Sequence, residues 1–348
     1  MDKAVVRAGL NAAYFSGAHH LLRPFFGGIG AILMLHHVRP PRLDPFQPNR
    51  MLEVSPTFLE EVIGRVRRSG IDIVSLDEMH RRLIESDTSR RFVCLTFDDG
   101  YRDNLIWAYP ILKKNQVPFA VFIATTFPDR LGNLWWVTLE TVIACNDRVR
   151  LIIDGEGRPF DCKTVDDKRK VFDAIYWWLH GLDESERCRI VADLARRHAV
   201  DITAPCLELC MTWDEIAKLA ADPLVTIGAH SVNHVMLKKA DEVVVRTEMQ
   251  MSAAMLAAAL GVRPCHFAYP YGNRAEAGVR EFRIAGDLGF KTAVTTRPGV
   301  LFAEHRNHLM ALPRIMLDGE LQSWRYVKAL LSGGPRALWT GFRRVDAA

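Results

Sequence analysis

A chain of 348 residues that is 49% hydrophobic and 25% charged has the composition of a globular protein with a full core, and its length suits one α/β barrel carrying an insertion. The net charge of +4, with no basic block interleaved with aromatics, excludes an electrostatic case for nucleic-acid binding. Seven scattered cysteines, an odd number, argue for reduced thiols and a cytoplasmic setting rather than a disulfide framework.

Residues 3–22 are predicted to form one helix ending near Pro24. The N-terminus lacks the apolar run and small-residue cleavage site of a secretory signal. The apolar stretch 25–38 is broken by three glycines and is too short to span a bilayer. Residues 31–35 read as a strand running into His36 and His37, followed by a proline-rich loop. Ser55-Pro56-Thr57 opens a helix that Gly70 stops. A strand over 71–76, a helix over 77–86 and a buried strand over 92–97 then lead to Asp98-Asp99-Gly100. Apolar residues at 105, 106, 109 and 112 predict a helix over 103–116, and Pro118 introduces an apolar strand over 119–124. Strand, helix, strand at this spacing implies a parallel sheet.

Residues 128–210 break the alternation and read as an insertion. They hold Trp135-Trp136, a hairpin around 154–157 and helices over 166–180 and 184–197. The rhythm resumes with a helix capped by Thr212, with Glu215 placed for a capping box, and a strand over 225–229 ending at His230. A helix over 240–260 closes at Gly261, and a strand over 265–268 runs into Tyr269-Pro270-Tyr271-Gly272. A helix over 275–288, strands over 291–296 and 312–317, a helix over 320–332 and a basic tail (Arg336, Arg343, Arg344) complete the chain. The expected organisation is an N-terminal helical segment (1–29), a barrel (30–318) containing the insertion, and a C-terminal helix and tail (319–348). About eight strands alternate with helices, and the polar clusters at their ends would share one mouth.

The chemistry gathers in those clusters. Paired carboxylates after a buried strand suggest a divided task, one holding a metal and the other moving a proton. His230 and His234, four apart, would point the same way on a helical turn or a strand-to-helix corner. Two imidazoles and one carboxylate are a frequent ligand set for catalytic zinc. The backbone after Pro270 is a candidate oxyanion donor, and a strand-end histidine a candidate acid.

Thr96-Phe97-Asp98-Asp99-Gly100 followed by His230-Ser231-x-x-His234 resembles the polysaccharide deacetylases, the NodB-like carbohydrate esterase family 4, over roughly residues 30–317. The resemblance implies an α/β fold, a distorted (β/α)7-type barrel of about seven strands with a helical insertion. It further implies a divalent metal, usually zinc, and removal of acetyl groups from N-acetylated, sometimes O-acetylated, sugars. By the same likeness Asp98 is the general base, Asp99, His230 and His234 are the metal ligands, and the Tyr271 N–H is the oxyanion donor. The family's third motif places an arginine where this chain has Ala268, and Arg314 is the expected replacement. The usual late Leu-x-His is missing, with His305 and His308 nearby in a polar loop. Leu35-His36-His37-Val38 resembles the early motif of the poly-N-acetylglucosamine deacetylase branch, which makes His36 the expected acid.

Trp135 and Trp136 are expected to stack on a sugar face, with Tyr269 and Pro270 completing the substrate side. The expected substrate is an acetylated glycan or glycolipid. The same site acting on a non-sugar amide or an O-acetyl ester, and a non-catalytic carbohydrate binder, are the alternatives. The apolar N-terminal segment and the basic C-terminal helix would fit peripheral contact with a membrane surface.

Overall fold

The computed structural model describes residues 3–153, 156–339 and 344–347. Its centre is a ring of seven strands: β1 (Gly30–Leu35), β2 (Phe92–Phe97), β3 (Phe119–Ile123), β4 (Val225–Ala229), β5 (His266–Ala268), β6 (Thr292–Pro298) and β7 (Leu312–Met316). They pair in chain order, all parallel, and β1 pairs with both β2 and β7, so the barrel closes. Strands of such a barrel are covered on both faces, which is why β1, β2 and β3 are buried at every position and read as apolar runs, with Thr96 the one polar side chain among them.

The ring is uneven. Between β6 and β7 the register passes from Val294↔Leu312 to Pro298↔Arg314, and β5 meets β4 only at Phe267↔Ala229. The expected eighth strand shrinks to Asp72–Ile73. It pairs with Phe92 and Val93, on the side of β2 that β3 occupies from Leu95 onward, and so stays outside the ring.

Helices return the chain between strands. Ser55 caps Pro56–Arg68 by accepting from the Phe58 N–H, and Thr212 with Glu215 forms the expected capping box of Trp213–Ala220. The helix Glu242–Leu260 is, among the described residues, the one long and apolar enough to cross a bilayer. Its buried stripe of Val245, Glu248, Met249, Ser252, Ala253 and Leu256 marks the face it lays against the protein.

Several expected elements change. The single N-terminal helix divides into Lys3–Phe15 and Ala18–Phe26 because Gly17 takes φ 75°, and Pro24 lies inside the second. The helix expected over 103–116 opens with a π turn, Asn104–Ala108, before Tyr109–Lys114. The helix expected from 275 starts at Val279–Asp287, and the one expected from 320 starts at Trp324–Leu331. The tail adds a short helix, Gly334–Trp339, and Arg343 lies outside the described residues.

In the insertion, Trp135–Ala144 and Ala204–Leu209 are helices that the sequence reading did not anticipate. They join the hairpin Arg148–Ile153/Glu156–Asp161, whose tip at 154–155 lies outside the described residues, and the expected pair Val165–Gly181 and Glu184–Arg197. These elements share a core that also takes in Tyr101 and the edge of Tyr271, which ties the insertion to the mouth of the barrel.

Candidate functional site

β2 delivers the two carboxylates. The Asp98 N–H still donates to the Leu35 carbonyl (3.0 Å), as the last rung with β1. Asp99 and Gly100 then both turn left-handed, with φ 71° and 68°. Gly100 suits this turn because its φ of 68° strains other residues, and a Cβ there would also press on the tip of Ile123, 2.7 Å away. Of the eight non-glycine residues with positive φ among those described, four are Asp99, Ser231, His234 and Tyr271. Strain of this kind persists where the surroundings over-determine it, and it concentrates at working sites.

His230 extends β4, donating its N–H to the Ile123 carbonyl (3.0 Å). Ser231 and His234 are left-handed, so the His-x3-His segment is a tight loop rather than a helical turn. Ser231 Oγ accepts from the His234 N–H (3.0 Å). Buried Glu248 accepts from the N–H groups of Val232 (2.8 Å) and Asn233 (2.9 Å) and from Asn233 Nδ2 (2.7 Å). Charge-assisted bonds from both backbone and side chain hold the loop. Sequence reasoning missed Glu248. Its one signal was a carboxylate on the apolar stripe of a helix.

Asp99 Oδ1 lies 3.4 Å from His230 Nε2 and 3.2 Å from His234 Nε2, and all three residues are buried. His230 Nδ1–H donates to the Ala268 carbonyl (2.7 Å), which leaves Nε2 of the neutral ring as a lone pair facing Asp99. Asp99 Oδ1 has no hydrogen-bond donor although it is buried. A buried carboxylate oxygen, the His230 lone pair and His234 Nε2 converge, a set that suits a cation. Ligand atoms about 2.1 Å from one tetrahedral ion stand about 3.4 Å apart, so the spacing fits as well. Burial alone would raise the Asp99 carboxyl, but His234 and His230 hold it well below the usual carboxylate range. Burial likewise works against a charged His230, yet Asp99 and Asp98 shift it upward, so a proton and a cation compete for the same Nε2 lone pair.

Asp98 is gripped by Arg314 through two parallel bonds, Nη1–Oδ1 at 2.7 Å and Nη2–Oδ2 at 2.6 Å. Arg314 is itself fully buried and anchored, Nε donating to the Thr295 carbonyl (2.8 Å) and Nη1 to Thr96 Oγ1 (3.2 Å). A guanidinium from β7 thus meets Asp98 while β5 carries Ala268. Burial pushes the Asp98 carboxyl up, and Arg314, followed by His230, outweighs it and holds the group low.

His36 and His37 separate cleanly. His37 Nδ1 is 2.7 Å from Asp103 Oδ2, and its ring stacks on Tyr101 with centroids 3.6 Å apart. His36 has a buried Nδ1 without a partner. Burial lowers its pKa, and the nearby Asp99 and Asp98 oppose that shift. The π turn has a local purpose, because Asn104 Nδ2 donates to the His36 carbonyl (2.7 Å). His305 folds onto its own turn, where Nδ1 accepts from the Phe302 N–H (3.0 Å).

Tyr271 is left-handed (φ 58°), and Gly272 follows at 62°. A Cβ on Gly272 would come within 2.8 Å of the Thr296 nitrogen and the Tyr269 carbonyl oxygen. Thr296 Oγ1 donates to the Tyr271 carbonyl. From the insertion, Trp135 Nε1–H donates to the Tyr271 hydroxyl (2.8 Å). Arg187, 1% exposed and paired with Glu184, lies 5.2 Å from the Trp135 ring centre and 5.9 Å from that of Tyr271. The Tyr271 ring in turn sits 4.9 Å from that of His234. Neither Arg187 nor Asp103 carried a sequence signal, since each is defined by distant partners.

All four expected substrate contacts are buried. Trp135 is 2% exposed and spends its indole on Tyr271, so it offers no face to a sugar. Tyr269 is fully buried, its hydroxyl donating to the Met310 carbonyl (2.9 Å) and its ring packing on Phe267 and Phe282. Pro270 is buried in the turn between them. Trp136 is buried too, and its ring, 5.2 Å from that of His234, walls the Asp99–His230–His234 cluster.

The profile of the polysaccharide deacetylase family matches residues 85–293. Among solved structures, the chain is similar to the Streptococcus pyogenes deacetylase PplD in complex with acetate, with 20% identity, 86% of this chain and 97% of that one covered, and a TM-score of 0.57. It is similar to IcaB from Ammonifex degensii at 18% identity, with 87% and 97% covered and a TM-score of 0.53. A de-N-acetylase from Aggregatibacter actinomycetemcomitans gives 14% identity, 86% and 99% covered and a TM-score of 0.53. At such identities the likeness is one of fold. Comparison with curated proteins returns no match.

Proposed function

The chain belongs to the polysaccharide deacetylase family, and from that premise we propose that it is a metal-dependent hydrolase removing acetyl groups from N-acetylated amino sugars of a glycan or glycolipid. One observation carries the proposal. A buried Asp99–His230–His234 cluster stands beside an Asp98 held by arginine.

A divalent cation on those three ligands, zinc being the ion this donor set favours, would polarise the acetyl carbonyl and acidify water. The remaining work falls to side chains and backbone. Asp98 takes the proton of the attacking water. Burial is outweighed by Arg314, so the carboxyl is ionised at neutral pH, and each oxygen keeps lone pairs beyond its bond to Arg314. The Tyr271 N–H receives the negative charge that develops on the acetyl oxygen, in a turn that Thr296, Trp135 and Arg187 brace. His36 delivers a proton to the leaving amine.

The test is acetate release from N-acetylglucosamine oligomers of graded length by the purified chain. Chelation should abolish it and added zinc restore it. A chain that binds no divalent metal and releases no acetate from any such oligomer refutes the reading. Release from acetyl esters alone moves the activity to O-acetyl groups.

Arg187 acts through Tyr271 and is therefore a positioning residue. Arg187→Met keeps the apolar stem and removes the charge over both rings. We expect kcat to fall roughly 10- to 100-fold, as a displaced donor implies, with KM and bound metal little changed. Equal losses in kcat and metal content would instead place Arg187 in the general scaffold.

A further inference from the structure

We propose that the two ends of the chain build one surface that adsorbs to an anionic lipid bilayer. The proposal goes beyond the deacetylase reading and does not depend on it.

The ends meet in space. Leu10 of Lys3–Phe15 forms a buried cluster with Tyr326 and Ala329 of Trp324–Leu331. Beside them, Ala18–Phe26 packs against the turn into Gly334–Trp339, so closely that a Cβ on Gly333 would overlap the Phe26 carbonyl.

Charge is segregated onto these ends. Residues 1–29 and 319–348 contain eight Lys and Arg against three Asp and Glu, a net +5 where the whole chain carries +4. Lys3 pairs with Glu320, Arg336 with Asp346 and Arg344 with Glu304. Arg23, Arg325 and Lys328 form no ion pair among the described residues.

Apolar side chains stand out among these cations. Val5 is 58% exposed, Phe15 72%, Leu21 74% and Phe25 63%. Leu21 and Phe25 are one helical turn apart and share a face of Ala18–Phe26, while Arg23 is exposed on another side of the same helix. The Arg325 guanidinium lies 6.0 Å from the Phe15 ring centre, and Lys328 Nζ lies 5.8 Å from that of Tyr14. Exposed rings and aliphatics interleaved with cations suit the boundary between headgroups and acyl chains, where the rings bury and the cations meet lipid phosphates.

The same chemistry argues against a second copy of this chain as the occupant. A two-fold contact sets a patch against itself, and here that would oppose Arg23, Arg325 and Lys328 to their own copies, while Glu320 and Asp346 are already paired within the chain.

The experiment is co-sedimentation of the full chain with vesicles of phosphatidylcholine alone and with about 30% phosphatidylglycerol. The chain should pellet with the anionic vesicles, and less so as salt rises from about 0.1 M to about 0.5 M. Phe15→Ser/Leu21→Ser/Phe25→Ser and, separately, Arg23→Glu/Lys328→Glu should each weaken partition on the order of tenfold. Phe15, Leu21, Phe25 and Arg23 are exposed and Lys328 is half-buried, so melting curves close to the parent's are expected. The proposal is overturned by a chain that stays in solution with anionic vesicles, by equal pelleting on neutral ones, or by variants that pellet undiminished. A dimer that the apolar variant dissociates would replace the bilayer with a second copy.

Discussion

Asp98→Asn is expected to lower kcat/KM for acetate release by roughly 1,000-fold while leaving bound metal unchanged. Positioned proton transfer contributes on the order of 10²- to 10⁴-fold, and an amide of the same shape cannot accept the proton of water. The three proposed ligands, Asp99, His230 and His234, are untouched, so metal content separates a lost base from a collapsed site. The substitution also acts on Arg314. Asn offers one acceptor where the carboxylate offered two, and it leaves a fully buried guanidinium without its counter-charge. Breaking a buried pair from one side costs about 3–5 kcal/mol, a large part of the roughly 5–15 kcal/mol that holds a typical domain together. The variant should therefore fold but melt at a lower temperature. Retention of more than about a tenth of the parental activity would remove Asp98 from the proton-transfer role.

What the sequence disclosed follows from the range of the interactions involved. β2 was legible because a strand buried on both faces is apolar at all but Thr96, and Asp98-Asp99 stand out at its end. His230 and His234 were legible because four residues set their separation. The Arg314 contact spans 216 residues, and only the missing arginine at Ala268 pointed toward it. Arg187 and Asp103 are invisible to local pattern because each is defined by a loop or ring from elsewhere, and Glu248 showed only as a carboxylate on an apolar helix stripe. The eighth strand failed for a physical reason: once β3 takes the edge of β2 from Leu95, only Phe92 and Val93 remain to be paired. Trp135 misled because aromatic platforms and aromatic packing have the same composition, and burial alone decides between them. The N-terminal helix broke at Gly17, a residue free to take the φ 75° that lets the second helix fold back.

Arg314→Met should be the second severe lesion, and its signature is a pH dependence of stability that runs opposite to the parent's. In the parent, the Asp98 carboxyl sits below its unfolded value of about 3.9, because Arg314 outweighs burial. The pair's stabilisation is therefore full above that unfolded value and is lost as pH falls through the lower folded one. Methionine fills the space of the stem and removes the charge. Burial, the largest influence on Asp98, then goes unopposed by its main partner, and the folded pKa climbs above the unfolded one. An ionised carboxylate without a partner destabilises the variant at neutral pH by about 3–5 kcal/mol. Acidification toward the unfolded pKa relieves that penalty, so the gap between variant and parent narrows as pH falls. Activity moves the other way. A base with a raised pKa is protonated over more of the range, so the acid limb of the kcat/KM profile shifts to higher pH. Urea denaturation across pH, beside the pH–rate profile, measures both. If the variant keeps the parent's acid limb and a constant stability gap at every pH, then Arg314 is not what holds Asp98 ionised, and the charge that does so must come from the imidazoles of His230 and His36.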